Sequence, residues 1–93
     1  MKAIWNDTLL AESDETIVVE GNHYFPPDSI DRRYLKESDR HTTCPWKGEA
    51  SYYTIEAGGT TYEDGAWYYP DPKQKARHIK DYVAFYREVE VTQ

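Results

Sequence analysis

Short runs of β-favouring residues, separated by turn residues, dominate the first part of the chain. Alternating and β-branched positions predict four strands here, over residues 3–5, 8–12, 16–20 and 23–25. The Asn6-Asp7 pair tolerates the left-handed backbone of a two-residue hairpin, and Gly21-Asn22 is predicted to turn the chain before the fourth strand. The pattern therefore predicts an antiparallel meander.

The second half of the chain also consists mainly of β-favouring runs separated by turn residues. Four more strands are predicted, over residues 50–57, 60–63, 66–69 and 83–89. Gly58-Gly59 suits a hairpin connection between the first two of them, and Asp64-Gly65 is predicted to form a turn before the third. We see no internal repeat, no linker and no low-complexity segment in the sequence.

Two short helices are predicted to interrupt the strands. Pro26-Pro27 ends the meander, and Asp28 or Ser29 is predicted to cap a helix over residues 30–37, followed by a loop over residues 38–43. Near the end of the sheet, Asp71 is predicted as the N-cap of a second helix, with Pro72 at its first position. Its apolar face comprises Ala76, Ile79 and Val83.

The count and length of these elements bound the fold. A chain of 93 residues has room for one hydrophobic core, so residues 1–93 are predicted to form a single domain. Seven or eight short strands with two short helices favour a mainly β fold, in which antiparallel sheets form a sheet pair or an open barrel. The mean hydropathy of -0.91 is low for a folded domain, but aromatic residues make up 15% of the chain and each can bury a large area. We therefore predict an aromatic core.

Composition and charge limit which partners, compartment and cofactors are expected for this chain. Seventeen acidic against eleven basic side chains give a net charge of -6, which disfavours binding to nucleic acid. The sequence has neither the apolar run of a secretory signal nor a stretch that could span a bilayer, so a cytoplasmic protein without membrane partners is expected. One Cys and three scattered His do not form a zinc-binding pattern, and no metal or other cofactor is expected.

The segment richest in candidate chemistry is a turn, Cys44-Pro45-Trp46-Lys47-Gly48. Proline suits the second position of a type I or II turn, which would place Lys47 close to Cys44. An ammonium at that distance, with help from His41, favours the thiolate, the nucleophilic form of cysteine. Cys44 is therefore a candidate nucleophile. The alternative is that Cys44 is a small buried hydrophobe that only packs.

The aromatic residues supply a second candidate feature. Because successive strand residues point to opposite faces, half of the adjacent tyrosines should be core and half should line a surface. Core packing explains any single ring, but the excess of Tyr and Trp also suits a ligand pocket or an interface. The acidic residues at strand ends, Glu12, Glu20 and Glu63, are explained as solvated charges at the rim of the sheet, and Glu20 is the preferred candidate for a carboxylate beside the Cys44 turn. The predicted ligand-binding residues are Glu20, Tyr24, Trp46, Lys47, Tyr53 and Trp67.

Several segments occur in an order that resembles a known bacterial family, domain of unknown function 427. They are Trp5 and residues 10–13, 20–26, 43–48, 52–53 and 66–70. They include Tyr24-Phe25-Pro26 and a Thr-x-Cys-Pro-x-Lys-Gly block, whose spacing is given by Thr42 and Cys44. The resemblance implies a topology similar to the β-tent of Mss4-like proteins. Some of those relatives bind zinc through paired cysteines, which this chain lacks. Family members have also been labelled nucleotidyltransferase-like, but the Gly-Ser and Asp-x-Asp pattern of that activity is missing here.

Two functional hypotheses follow from the sequence. In the first, Tyr24, Trp46, Tyr53 and Trp67 line a cleft for a small ligand, Lys47 binds an anionic group of it, and Cys44 lines the site or attacks. In the second, an exposed Tyr/Trp face binds another protein or a second copy of the chain, so that the protein is a monomer or a homodimer. The sequence contains no serine-hydrolase elbow, phosphate loop or zinc-protease motif, and it leaves open whether the protein is an enzyme.

Overall fold

The computed structural model describes all residues, 1–93, and shows a mainly β protein. Nine strands are present: β1 Lys2–Trp5, β2 Thr8–Glu12, β3 Ile17–Val19, β4 Asn22–Tyr24, β5 Leu35–Cys44, β6 Gly48–Ala57, β7 Thr60–Tyr68, β8 Val83–Phe85 and β9 Glu90–Thr92. The helical segments are three short 3-10 helices, at Pro27–Ser29, Arg32–Tyr34 and Gln74–Ile79.

The strands form three antiparallel sheets, which stay open and do not close into a barrel. The largest has the order β5-β6-β7-β8, the second has the order β2-β1-β9, and β3 and β4 form a two-stranded hairpin. Tight turns account for much of this topology. Asn6 and Asp7 have φ of 51° and 57°, so the predicted two-residue hairpin between β1 and β2 is confirmed.

Two hydrophobic cores lie on opposite faces of the four-stranded sheet. The larger core joins that face to the three-stranded sheet through side chains such as Leu10, Ile55 and Phe85. The smaller core joins the other face to the β3–β4 hairpin and the third 3-10 helix. Its buried members are Tyr24, Ala50, Tyr52, Tyr69, Ala76, Ile79 and Ala84.

The predicted helix over residues 30–37 and the predicted loop over residues 38–43 are wrong. Only Arg32–Tyr34 forms a 3-10 turn, and β5 then runs without interruption from Leu35 to Cys44. A strand forms here despite the local helical pattern because the segment pairs with β6 on both sides of an irregular stretch between Glu37 and His41. Its polar residues belong to an edge strand, where charged side chains discourage pairing with other chains.

Three smaller predictions also differ from the structure. Asp64 and Gly65 lie inside β7, where Asp64 has φ of 56° beside an irregular register with β6, so they bend the strand and do not end it. The second predicted helix begins at Gln74, with no side-chain cap from Asp71. The closing strand ends at Phe85, and the chain then forms β9 against β1. That pairing joins the two ends of the sequence, which local patterns do not reveal.

Candidate functional site

The Cys-Pro-Trp-Lys-Gly segment is the hairpin connection between β5 and β6. Cys44 pairs with Gly48, and the three residues between them form the loop. Gly48 has φ of 110°, a conformation that side-chain-bearing residues rarely adopt. The segment before the third 3-10 helix holds this loop in place, because Lys73 donates its backbone N–H to the Lys47 carbonyl at 2.9 Å and its ammonium to the Pro45 carbonyl at 2.7 Å.

Lys47 is buried, with 6% of its surface exposed. Its ammonium donates to the Glu20 carboxylate and lies 5.4 and 5.5 Å from the ring centres of Trp46 and Tyr69. Burial alone lowers the pKa of Lys47, but the hydrogen bond to Glu20 and the nearby Glu20, Tyr24 and Tyr69 oxygens raise it above its usual value. Lys47 is therefore a charged group that already has an internal partner.

Glu20 reaches this lysine from the tip of the β3–β4 hairpin, where it has φ of 54°. Its carboxylate also accepts a hydrogen bond from Trp46 Nε1 at 3.4 Å. The bonds from Lys47 and then Trp46 lower the pKa of Glu20. The predicted proximity of Glu20 to the Cys44 turn is seen in the structure. Its contacts fasten the β3–β4 hairpin to the β5–β6 connection.

Tyr24 and Trp67 form a second contact between the hairpin and the four-stranded sheet. Trp67 Nε1 donates to the Tyr24 hydroxyl at 3.1 Å, and the two rings meet edge to face with centres 6.2 Å apart. On its other side Trp67 contacts Tyr86, with ring centres 4.7 Å apart. Trp67 is thus held between a fully buried tyrosine and an exposed one.

Tyr53 lies on the opposite face of the sheet from the other predicted ligand-binding residues. It stacks on Tyr68 at 4.4 Å between ring centres and accepts a hydrogen bond from Arg32 at 2.8 Å. The alternation predicted for Tyr52 and Tyr53 is confirmed, since each joins a different core. The same alternation separates Tyr53 from Tyr24 and Trp67.

Cys44 is partly buried at the end of β5 and packs against the smaller core. None of the five surface clefts includes Cys44, Trp46 or Lys47 in its lining. The ammonium that was expected to activate the thiol is directed to Glu20. The nucleophilic role of Cys44 stays a prediction.

A cleft of about 630 Å³ lies beside Trp67, between the β3–β4 hairpin and the segment that joins β8 to β9. We call it the Trp67 cleft. It is lined by Met1, Gly21, Asn22, His23, Trp67, Phe85, Tyr86, Arg87, Val89 and Val91. The sequence interpretation included Trp67 but missed Tyr86 and Arg87, because both were placed inside a strand. The polar run Tyr86-Arg87-Glu88 after three buried residues was a signal that the strand ends at Phe85.

Tyr86 lies beside a polar cluster formed by Arg40, Thr42 and Tyr52 of the four-stranded sheet. Thr42 and Tyr52 share a hydrogen bond of 2.8 Å between their hydroxyls, and the Arg40 guanidinium lies 5.2 Å from the Tyr52 ring centre. Burial alone raises the pKa of Tyr52, but bonds with Thr42, Tyr86 and Arg40 lower it below its usual value. Burial and the neighbouring Tyr52 hydroxyl raise the pKa of Tyr86 to about 12. Tyr86 is therefore neutral at physiological pH.

No three His, Cys, Asp or Glu side chains converge in an arrangement that could hold a metal ion. None of the helical segments has the length and apolar character needed to cross a membrane.

These features define a small mainly β domain with open antiparallel sheets and a cleft lined by Trp67, Phe85 and Tyr86. The chain belongs to the family described as domain of unknown function (DUF427), whose model matches residues 1–93 and carries the short name NTP_transf_9. A search of curated proteins found no match.

Proposed function

We propose that this domain binds a small molecule in the Trp67 cleft. The observation that carries the proposal is the cleft itself. Its volume of about 630 Å³ falls within the range of small-ligand sites, and six of its ten lining residues are hydrophobic. The two rings of Trp67 and Tyr86 offer a surface on which a planar or apolar group can stack.

This proposal shifts the site from the Cys-Pro-Trp-Lys-Gly turn to the far side of Trp67. Lys47 was predicted to bind an anionic group, but its ammonium is buried and bonded to Glu20. We therefore assign Glu20, Trp46 and Lys47 a supporting role. They hold the hairpin whose residues Gly21, Asn22 and His23 form one wall of the cleft.

The alternative, a docking face of Tyr and Trp, has less support. Only four large hydrophobic side chains are prominently exposed, and two of them are aromatic: they are Leu9, Val18, Trp46 and Tyr86. They come from four separate elements of the fold, whereas an interface calls for a contiguous patch. Most aromatic rings of the predicted face are used in the two cores.

Binding can be tested by proton–nitrogen correlation NMR with a set of small aromatic probes: benzoate, benzamide, naphthoate and naphthamide. We expect at least one probe to shift the signals of Asn22, the Trp67 indole and Arg87. Tyr86→Ala should weaken that binding by about tenfold, because it removes one stacking surface.

Tyr34→Ala is the matched control, since Tyr34 is a partly exposed tyrosine outside the Trp67 cleft. It should leave probe affinity unchanged, and thermal unfolding of both variants would verify that they fold. If no probe shifts the signals of the cleft, or if Tyr34→Ala weakens binding as much as Tyr86→Ala, the proposal is wrong.

A further inference from the structure

The charges around the Trp67 cleft are unusual for this chain. Seventeen of its 93 residues are acidic, yet none of the ten residues that line the cleft is Asp or Glu. Apart from Tyr86, which is neutral at physiological pH, the ionisable side chains in the lining are those of Arg87 and His23. In this acidic protein, the Trp67 cleft therefore contains the Arg87 guanidinium and the His23 imidazole but no carboxylate.

The carboxylates that neighbour the cleft in sequence are directed elsewhere. Glu20 precedes Gly21 but is bonded to Lys47 and Trp46. Glu88 follows Arg87 but accepts a hydrogen bond from the Tyr62 hydroxyl at 2.7 Å. Glu90 is exposed on β9, where alternation turns it away from Val89 and Val91.

The Arg87 guanidinium and the His23 imidazole are both free to bind a ligand. The ion pairs of the chain involve Arg33, Lys36 and Lys47, so Arg87 has no carboxylate partner. His23 shares a hydrogen bond of 2.9 Å between Nδ1 and the Thr16 hydroxyl. This contact orients the ring and leaves Nε2 available.

We infer that the Trp67 cleft recognises a small organic anion that has an apolar body, with the anionic group at Arg87 and His23 and the body against Trp67 and Tyr86. This inference rests on the proposed function and adds the chemical class of the ligand. A carboxylate or phosphate suits Arg87 because the guanidinium can donate two parallel hydrogen bonds to it. The apolar walls select against small inorganic anions, which have no surface to bury there.

The inference can be tested with two probes of nearly the same shape, the anionic naphthoate and the neutral naphthamide. We expect naphthoate to bind wild-type protein at least about tenfold more tightly, with shifts at His23 and Arg87, since a hydrogen bond to a charged group contributes more than a neutral one. Acetate at equal concentration should shift these signals much less. Arg87→Gln should remove about tenfold of the naphthoate affinity and leave naphthamide binding unchanged.

Arg77→Gln provides the control, because Arg77 is an exposed arginine on the third 3-10 helix and does not line the cleft. If naphthamide binds in the cleft as tightly as naphthoate, or if Arg87→Gln has no more effect than Arg77→Gln, the anionic class is wrong while the proposed function stands. If neither of these probes shifts the cleft signals, and benzoate and benzamide do not shift them either, both are wrong. A change in molecular mass on adding a probe, with shifts on the exposed faces instead, would favour self-association and overturn both.

Discussion

Phe25→Ala is expected to lower the free energy of unfolding by about 3–5 kcal/mol. Phe25 is completely buried in the larger core, and its ring meets Phe85 edge to face at 5.7 Å. Its backbone exchanges hydrogen bonds of 2.8 and 2.9 Å with Val83, so the surrounding chain cannot easily collapse into the space that the ring leaves. Since small domains are stable by roughly 5–15 kcal/mol in total, this loss is a large share.

Urea unfolding followed by tryptophan fluorescence would measure the effect. Val18→Ala is a suitable control, because Val18 is 57% exposed and its truncation should change stability by no more than about 0.5 kcal/mol. A loss in Phe25→Ala as small as that in Val18→Ala would show that Phe25 is not a central core residue.

Phe25 also matters for the site through its neighbour in sequence. Tyr24 and Phe25 point to opposite sides, so Tyr24 enters the smaller core and contacts Trp67 while Phe25 enters the larger core. The β3–β4 hairpin is thus connected to both cores at one point. Because this hairpin forms a wall of the Trp67 cleft, partial loss of Phe25 packing should also reduce probe binding.

Local residue patterns correctly predicted the hairpin turns and the strand alternation, because these features depend on residues close together in the chain. Asn6-Asp7 and Gly58-Gly59 form the hairpin turns that their left-handed tendency favours. Strand alternation correctly sends Tyr52 and Tyr53 to different faces of the sheet. The mainly β class followed from these signals, whereas the similarity to Mss4-like proteins stays a prediction.

The errors occurred where a distant segment determines the structure. Residues 30–43 contain charged and apolar positions that suit a helix followed by a loop, but pairing with β6 makes most of them an edge strand. β9 exists because it pairs with β1 at the other end of the chain. These outcomes depend on contacts between residues far apart in sequence, which propensity does not contain.

The same reason explains how much of the candidate site was predictable. Glu20 and the Cys-Pro-Trp-Lys-Gly turn were expected to lie together, and the contacts of Glu20 with Trp46 and Lys47 agree with this. The Trp67 cleft was not foreseen, because its walls come from segments far apart in sequence: Met1 before β1, the β3–β4 hairpin, β7, and the stretch from the end of β8 into β9. Its assembly requires the β1–β9 pairing.

Glu20→Gln is expected to destabilise the protein more than Lys47→Met does. In Glu20→Gln the buried Lys47 ammonium loses its only carboxylate partner and cannot regain water, whereas Lys47→Met leaves a Glu20 side chain that is 54% exposed and readily solvated. Lys47→Met removes the ammonium that lies beside the Trp46 and Tyr69 rings and fills the same space with an unbranched apolar side chain, so its stability should stay within about 1 kcal/mol of wild type. Equal losses in the two variants would contradict this account.

The pH dependence of stability provides an independent check of the same ion pair. The pKa of Glu20 is below its usual value of 4.5 in the folded protein, so its contribution is present above pH 4.5 and is lost as the pH falls through the lower, native pKa. The pKa of Lys47 is above its usual 10.5, so its contribution is present below pH 10.5 and is lost as the pH rises through the native pKa. Urea midpoints of wild type and Glu20→Gln should therefore differ most near neutral pH and converge below pH 4.5. A difference that does not change between neutral and acidic pH would mean that Glu20 acts through packing and not through its charge.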